Sequence, residues 1–257
     1  MEKGYILCFD SGIGGLTTLA EARRLLPQED FIYYADTAHA PYGNRPRTEV
    51  LELTRCAIAK LRPLGIKTVL LACNAATSAG VAALRGELEL PLVGLEPAIK
   101  PALKATSGPV VVLGTVLTVQ GEKFYNLLDS LPQHERVRAV SCPGLVELIE
   151  EDPEQREIES YLRELLRPHE KEMSALVLGC THYIFLQPLF KRLWPHTPLF
   201  DGNAGISRRL AQVLSLQGLG GGAGRLLLHC SEPGEEAQER FAAKCRRFID
   251  YYEKTRS

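Results

Sequence analysis

The chain has 257 residues with 30 Lys+Arg against 31 Asp+Glu, so no charge surplus draws it to nucleic acid or to an anionic membrane, and a small-molecule partner fits better. None of its apolar runs reaches the roughly 18 residues of a membrane-spanning helix, and the run at 5–9 is too short for a signal-peptide core, so a cytoplasmic protein is expected. Seven cysteines without a C-x-x-C pair fit reduced thiols rather than a disulfide framework or a zinc knuckle, and no metal is expected.

Strand and helix patterns then alternate along the chain. Aliphatic segments at 5–9, 31–35, 68–72, 92–95, 110–113, 137–141, 175–178 and 226–229 predict strands. Apolar residues at helical spacing predict helices over 16–26, 48–61, 76–88, 119–131, 154–166, 186–193 and 206–216. This order implies an α/β fold of parallel sheets joined by right-handed crossovers. Pro97 and Pro101 bracket a break after one complete set of elements, which predicts two domains, 1–97 plus 207–257 and 98–206. The stretch at 147–154 reads as a solvated helix end. The glycine-rich segment at 218–224 lacks the order G-x-G-x-x-G and reads as a plain flexible connection.

The chemistry gathers at the predicted strand ends, where ligands of such folds bind. The first strand ends in Asp10-Ser11-Gly12-Ile13-Gly14-Gly15, a carboxylate and a hydroxyl before glycines that allow close backbone approach and a helix start able to hold a carboxylate. A polar loop over 35–45 follows the second strand. Cys73 closes the third strand and Cys180 closes the strand at 175–178, 107 positions later by subtraction. Thr115 and Thr118 follow the strand at 110–113. Neutral donors with few cations suit an amino-acid zwitterion. One thiol on each side of a substrate suggests proton removal from one face of a carbon and return to the other, with Asp10 and His182 placed to tune the thiols. Cys8, Cys56, Cys142 and Cys245 read as small buried side chains, and Cys230 beside His229 completes no metal set.

Asp10-Ser11-Gly12, Asp36-Thr37-Ala38 with Pro41-Tyr42-Gly43, Cys73-Asn74 with Thr77, and Gly179-Cys180-Thr181-His182-Tyr183 resemble the signature segments of the glutamate racemases, within the aspartate/glutamate racemase superfamily. They occur in the family's order from about residue 5 to about residue 216, and the connection Glu96-Pro97-Ala98-Ile99-Lys100-Pro101 also looks like members of the family. The resemblance implies two pseudo-symmetric α/β domains with the active site between them and a cofactor-independent interconversion of L- and D-glutamate for peptidoglycan synthesis. Carried over position by position, Cys73 would take the α-proton of D-glutamate and Cys180 that of L-glutamate. Asp10, His182 and Glu150 would assist them. Substrate contacts would come from Asp10, Ser11, Tyr42, Gly43, Asn74, Ala75, Thr115, Thr118, Thr181 and His182, and the family suggests a homodimer. Two departures stand out. Ala75 occupies the place of a usual threonine, leaving only its backbone N–H as a donor, and Asp201-Gly202-Asn203 replaces a common Asp-Ser-Gly or Asp-Ser-Ala turn. An aspartate or hydantoin racemase of the same superfamily, or a catalytically silent amino-acid-binding relative, is the alternative.

Overall fold

The computed structural model describes residues 4–151 and 156–255. Within them, strands β1 (Tyr5–Asp10), β2 (Phe31–Ala35), β3 (Ile66–Leu71), β4 (Leu92–Gly94), β5 (Val110–Gly114), β6 (Val137–Ser141), β7 (Ala175–Leu178), β8 (Leu199–Asp201) and β9 (Leu226–Cys230) form two sheets. The first is five-stranded in the order β4-β3-β1-β2-β9, the second four-stranded in the order β6-β5-β7-β8. All the strand pairings described are parallel.

Parallel sheets are covered on both faces, which is why these strands read as unbroken apolar runs rather than alternating ones. On one face of the first sheet Ile6, Cys8, Phe31, Tyr33 and Leu70 pack with Leu16 and Leu19 of α1 (Leu16–Leu25), and the opposite face carries Leu7, Phe9, Ile32, Val69 and Leu71. That opposite face meets α2 (Arg47–Leu61) and α3 (Asn74–Glu87) through Ile58, Ala76 and Leu84. In the second sheet Val111, Leu113, Leu176 and Leu178 share a core with Ile158 and Leu162, whereas Val110, Val112 and Val177 pack with Ile99 and Phe124.

The remaining helices are α4 (Ile99–Ala105), α5 (Val116–Val119), α6 (Glu122–Asp129), α7 (Leu145–Glu151), α8 (Arg156–Leu166), α9 (Gln187–Leu193), α10 (Asn203–Leu216) and α11 (Glu235–Thr255). Several depart from the sequence reading. The helix expected over 119–131 is two helices meeting at Gly121, where an added Cβ would lie 2.7 Å from the Leu117 carbonyl oxygen. The stretch expected as a solvated helix end does close α7, and its positions 147–150 are partly or fully open to solvent; its positions 152–154, and 154–155 of the helix expected to follow, lie outside the described residues. Strand β8 is short and only half-buried. Cys56 is exposed rather than buried, because Thr54, Ala57 and Ile58 turn inward on α2 instead.

The segment at 218–224 is anchored, not a loose connection. Lys67 Nζ donates to the Gly221 carbonyl at 2.8 Å and pairs with Glu29 at 2.5 Å, both charged side chains being buried. Glu29 also accepts the Gly221 N–H, and Asp30 accepts the N–H groups of Ala223 and Arg225. Buried charges held this way satisfy backbone groups that a glycine-rich loop would otherwise leave to water.

Helix α11 was absent from the sequence reading, and it joins the two halves. Its apolar residues Phe241, Cys245, Phe248 and Tyr252 recur at helical spacing. Phe241 and Cys245 enter the core of the first sheet, Tyr252 enters that of the second, and Phe248 touches both. Phe241 stacks 6.3 Å from Tyr33, and Phe248 meets Phe185 edge-on at 5.2 Å.

Candidate active site

Each sheet delivers one buried thiol at the carboxyl end of a strand. Cys73 follows β3 and caps α3, its sulfur accepting the Ala76 N–H at 3.4 Å. Ser11 Oγ lies 3.7 Å from the same sulfur. A helix N-terminus favours a thiolate, but burial, reinforced by the carboxylate of Asp10, pushes the Cys73 thiol up to about 12. Cys180 follows β7 and is buried, close enough that charge on it also raises Cys73.

Asp10 ends β1 with no exposure to solvent. Its Oδ1 accepts the Gly12 N–H at 2.8 Å and its Oδ2 the hydroxyl of Thr181 at 3.3 Å. Burial raises its carboxyl, with His182 pulling the other way. His182 Nε2 lies 2.7 Å from Glu150 Oε1 on α7. Burial alone would depress this imidazole; Cys180 and Glu150 reverse that and raise it to about 10. The Glu150 carboxyl is penalised by burial yet ends below its ordinary range, because His182 and Lys244 favour its charged form. The second thiol therefore stands beside an imidazolium–carboxylate pair, whereas the first stands beside a carboxylate and a hydroxyl.

The glycines of 12–15 serve this junction. A Cβ on Gly14 would lie 2.4 Å from Thr181 Oγ1 and 2.5 Å from His182 Nδ1, and one on Gly12 would lie 2.9 Å from Glu150 Oε1. The backbone freed by these glycines is occupied by the second half of the protein. Tyr33 fixes the turn by donating to the Gly12 carbonyl at 2.7 Å.

The loop after β2 closes the other side. Tyr42 is buried, and its hydroxyl donates to Asp36 Oδ2 at 2.5 Å, which with burial raises the phenol. His39 Nδ1 lies 2.8 Å from Asp36 Oδ1. Gly43 abuts Thr115, where an added Cβ would lie 2.7 Å from the threonine Cβ. Thr115 and Thr118 join hydroxyl to hydroxyl at 3.0 Å. Asn74 and Ala75 are buried in the first turn of α3, and Asn74 lines a narrow cleft with Thr77 and Thr118. Asn203 N–H donates to Asp201 Oδ1 at 2.9 Å, so the divergent turn at 201–203 starts α10 and stands apart from the thiols in the contacts it makes.

The structure thus brings Asp10, Ser11, Cys73, Thr181, His182, Glu150 and Cys180 into one connected cluster, with Tyr42, Gly43, Thr115 and Thr118 in the adjoining wall. Asp36, which anchors Tyr42, stands in a signature segment without being placed among the site residues, and Lys244, which faces Glu150, was missed altogether. A polar residue six positions before the tyrosine was the available signal for Asp36; Lys244 lies on the unpredicted α11. Among the described residues no group of three or more His, Cys, Asp or Glu is set to hold a metal ion, and no helix is long and apolar enough to cross a membrane.

Fold and site together define an α/β enzyme of two parallel-sheet halves with a pair of buried thiols at their junction. The family described as Asp/Glu/Hydantoin racemase matches residues 16–204. A glutamate racemase from Clostridium perfringens (strain 13 / Type A) is 43% identical over 219 residues, covering 83% of this chain and 84% of its own. The crystal structure of glutamate racemase isoform RacE1 from Bacillus anthracis superposes with a TM-score of 0.84 at 28% identity, covering 98% of this chain and 96% of its own. That of the Escherichia coli glutamate racemase, in complex with L-glutamate and the activator UDP-MurNAc-ala, gives 0.82 at 30% identity, with 95% of each chain covered. This chain belongs to the Asp/Glu/Hydantoin racemase family, and its activity is that of an isomerase.

Proposed function

We propose that this protein interconverts L- and D-glutamate without a cofactor, using Cys73 and Cys180 as its two acid/base groups, and that the D-glutamate supplies peptidoglycan. The observation that carries the reading is the pair of buried thiols at strand ends of opposite sheets, in electrostatically unlike surroundings. With L-glutamate, the Cys180 thiolate takes the α-proton and its electron pair remains on the α-carbon, delocalised toward the carboxylate. The Cys73 S–H then delivers its proton to the opposite face, giving D-glutamate; the reverse reaction exchanges the roles. The α-hydrogen is a very weak acid, so fixed donors and exclusion of water must lower the barrier more than the bases do alone.

Asp10, Ser11, Tyr42, Gly43, Asn74, Ala75, Thr115, Thr118, Thr181 and His182 are the proposed substrate contacts. Ala75 offers only its N–H, the observation that favours testing aspartate and hydantoins beside glutamate. The division into 1–97 plus 207–257 and 98–206 belongs to the same reading, supported by the change of sheet between β4 and β5 and between β8 and β9. So do a homodimer and a cytoplasmic location.

Incubation with L-glutamate in deuterated water, without added cofactor, tests the proposal. Decay of circular dichroism together with loss of the α-proton signal is expected. Unchanged spectra with glutamate but turnover of aspartate or a hydantoin would replace the substrate, and no turnover of any would replace the reading with a silent binding relative.

A further inference from the structure

The two oxygens of Glu150 face two cationic groups from different parts of the chain. Oε1 lies 2.7 Å from His182 Nε2, in the turn after β7, and Oε2 lies 4.0 Å from Lys244 Nζ on α11. Lys244 is held in place by its own helix. Cys245 next to it is fully buried in the core of the first sheet, and Phe248, one turn on, sits against Phe185 just beyond His182. Two other cations of α11 are engaged elsewhere, Arg240 with Glu236 at 2.6 Å and Arg247 over the Phe248 ring.

We propose that Lys244 is a positioning residue: by engaging Oε2 of Glu150 it fixes the carboxylate that grips His182, so that the last helix governs the imidazole beside Cys180. The kinetic part of this inference rests on the racemase reading; the electrostatic part does not. The charged and titratable groups facing the pair are Asp10 from β1, Cys180 after β7, Glu150 from α7 and Lys244 from α11, with the Ile13 N–H also directed at Glu150. Removing the Lys244 charge leaves Glu150 less stabilised as an anion, with His182 its sole cationic partner among the described residues. Both groups then bind their protons more tightly.

The test uses the full chain as wild type, Lys244→Met and Lys244→Arg, labelled with 15N in histidine and 13C in glutamate carboxyls, and titrated by NMR. A partly exposed pair at this distance shifts a neighbour by roughly half a pKa unit. The Met variant should move the His182 and Glu150 titrations upward by that amount, with Arg restoring them. In the racemase assay the Met variant should lower kcat about threefold with little change in KM, and shift the acidic limb of the pH profile upward. Superimposable titrations of wild type and Lys244→Met, with circular dichroism showing both folded, would overturn the proposal. Should Lys244→Met not fold, Lys244→Gln is titrated in its place. A wild type that fails to racemise glutamate would defeat the racemase reading while the NMR titrations still decide the role of Lys244.

Discussion

The hydroxyl of Thr181 donates to Oδ2 of Asp10 at 3.3 Å, tying the residue after one sheet's thiol to the carboxylate that ends the central strand of the other sheet. Through this contact the two halves share one register at the site. A shift of either strand end by a single residue would break it and move a thiol out of line.

Replacement of either thiol by a hydroxyl separates the two half-reactions. Cys73→Ser and Cys180→Ser should each lower kcat/KM about a thousandfold, equally in both directions because enantiomers are equal in free energy. Exchange of the α-proton with deuterated water should persist one-sidedly, for L-glutamate in Cys73→Ser and for D-glutamate in Cys180→Ser. Proton NMR reads this directly, and full turnover in either variant would remove the two-base mechanism.

Asp10 is a carboxylate kept at the expense of stability. Burial raises its folded pKa above the unfolded value, so its favourable contribution is present below the unfolded pKa and is lost as pH rises through the folded one. Asn can still accept from Gly12 and can donate to the Thr181 hydroxyl. Asp10→Asn should therefore raise Tm near neutrality by ~3 °C, about 1 kcal/mol, with the gain vanishing toward pH 3, while activity falls about a hundredfold or more. A lower Tm at neutral pH would contradict this.

Two glycines should respond in opposite directions. Gly14→Ala sets a methyl against Thr181 and His182 and should cost about 2 kcal/mol with loss of activity. Gly86, near the end of α3, has nothing within 4 Å of its added Cβ, so Gly86→Ala should stabilise by about 0.5 kcal/mol at unchanged activity. Urea titration of the pair measures both.

His182 should impose a basic limit. Its folded pKa is raised to about 10, so its stabilising contribution is complete below its unfolded value near 6.5 and is lost as pH rises through about 10. Denaturation midpoints should fall between about pH 6.5 and about pH 10 in the wild type and fall less in His182→Gln. The racemase rate, which follows the folded imidazole, should decline only as pH approaches and passes about 10. A wild-type stability that stays flat to pH 11 would exclude the imidazolium.

The alternating order of the fold and the placement of both thiols were legible because fully buried parallel strands such as Ile66–Leu71 and Ala175–Leu178 are written as short apolar runs. Asp10, Ser11, Thr181 and His182 were legible as polar residues immediately following such runs. What escaped notice depended on partners distant in sequence. Lys67 and Glu29 show only as charges until folding pairs them with Gly221. The period Phe241, Cys245, Phe248, Tyr252 was present in the chain, yet nothing local says that one end of that helix belongs to each sheet. The glycines of 12–15 were read as room for a ligand, whereas the room at Gly14 is filled by Thr181 and His182.

Strand β9 edges the first sheet, and helix α11, which follows it, reaches the second sheet's core. The same helix carries Lys244 to within 4.0 Å of Glu150. Any disturbance of α11 is therefore felt in both cores and at the carboxylate beside His182 together, so the helix acts as a spring shared by the two halves and the site.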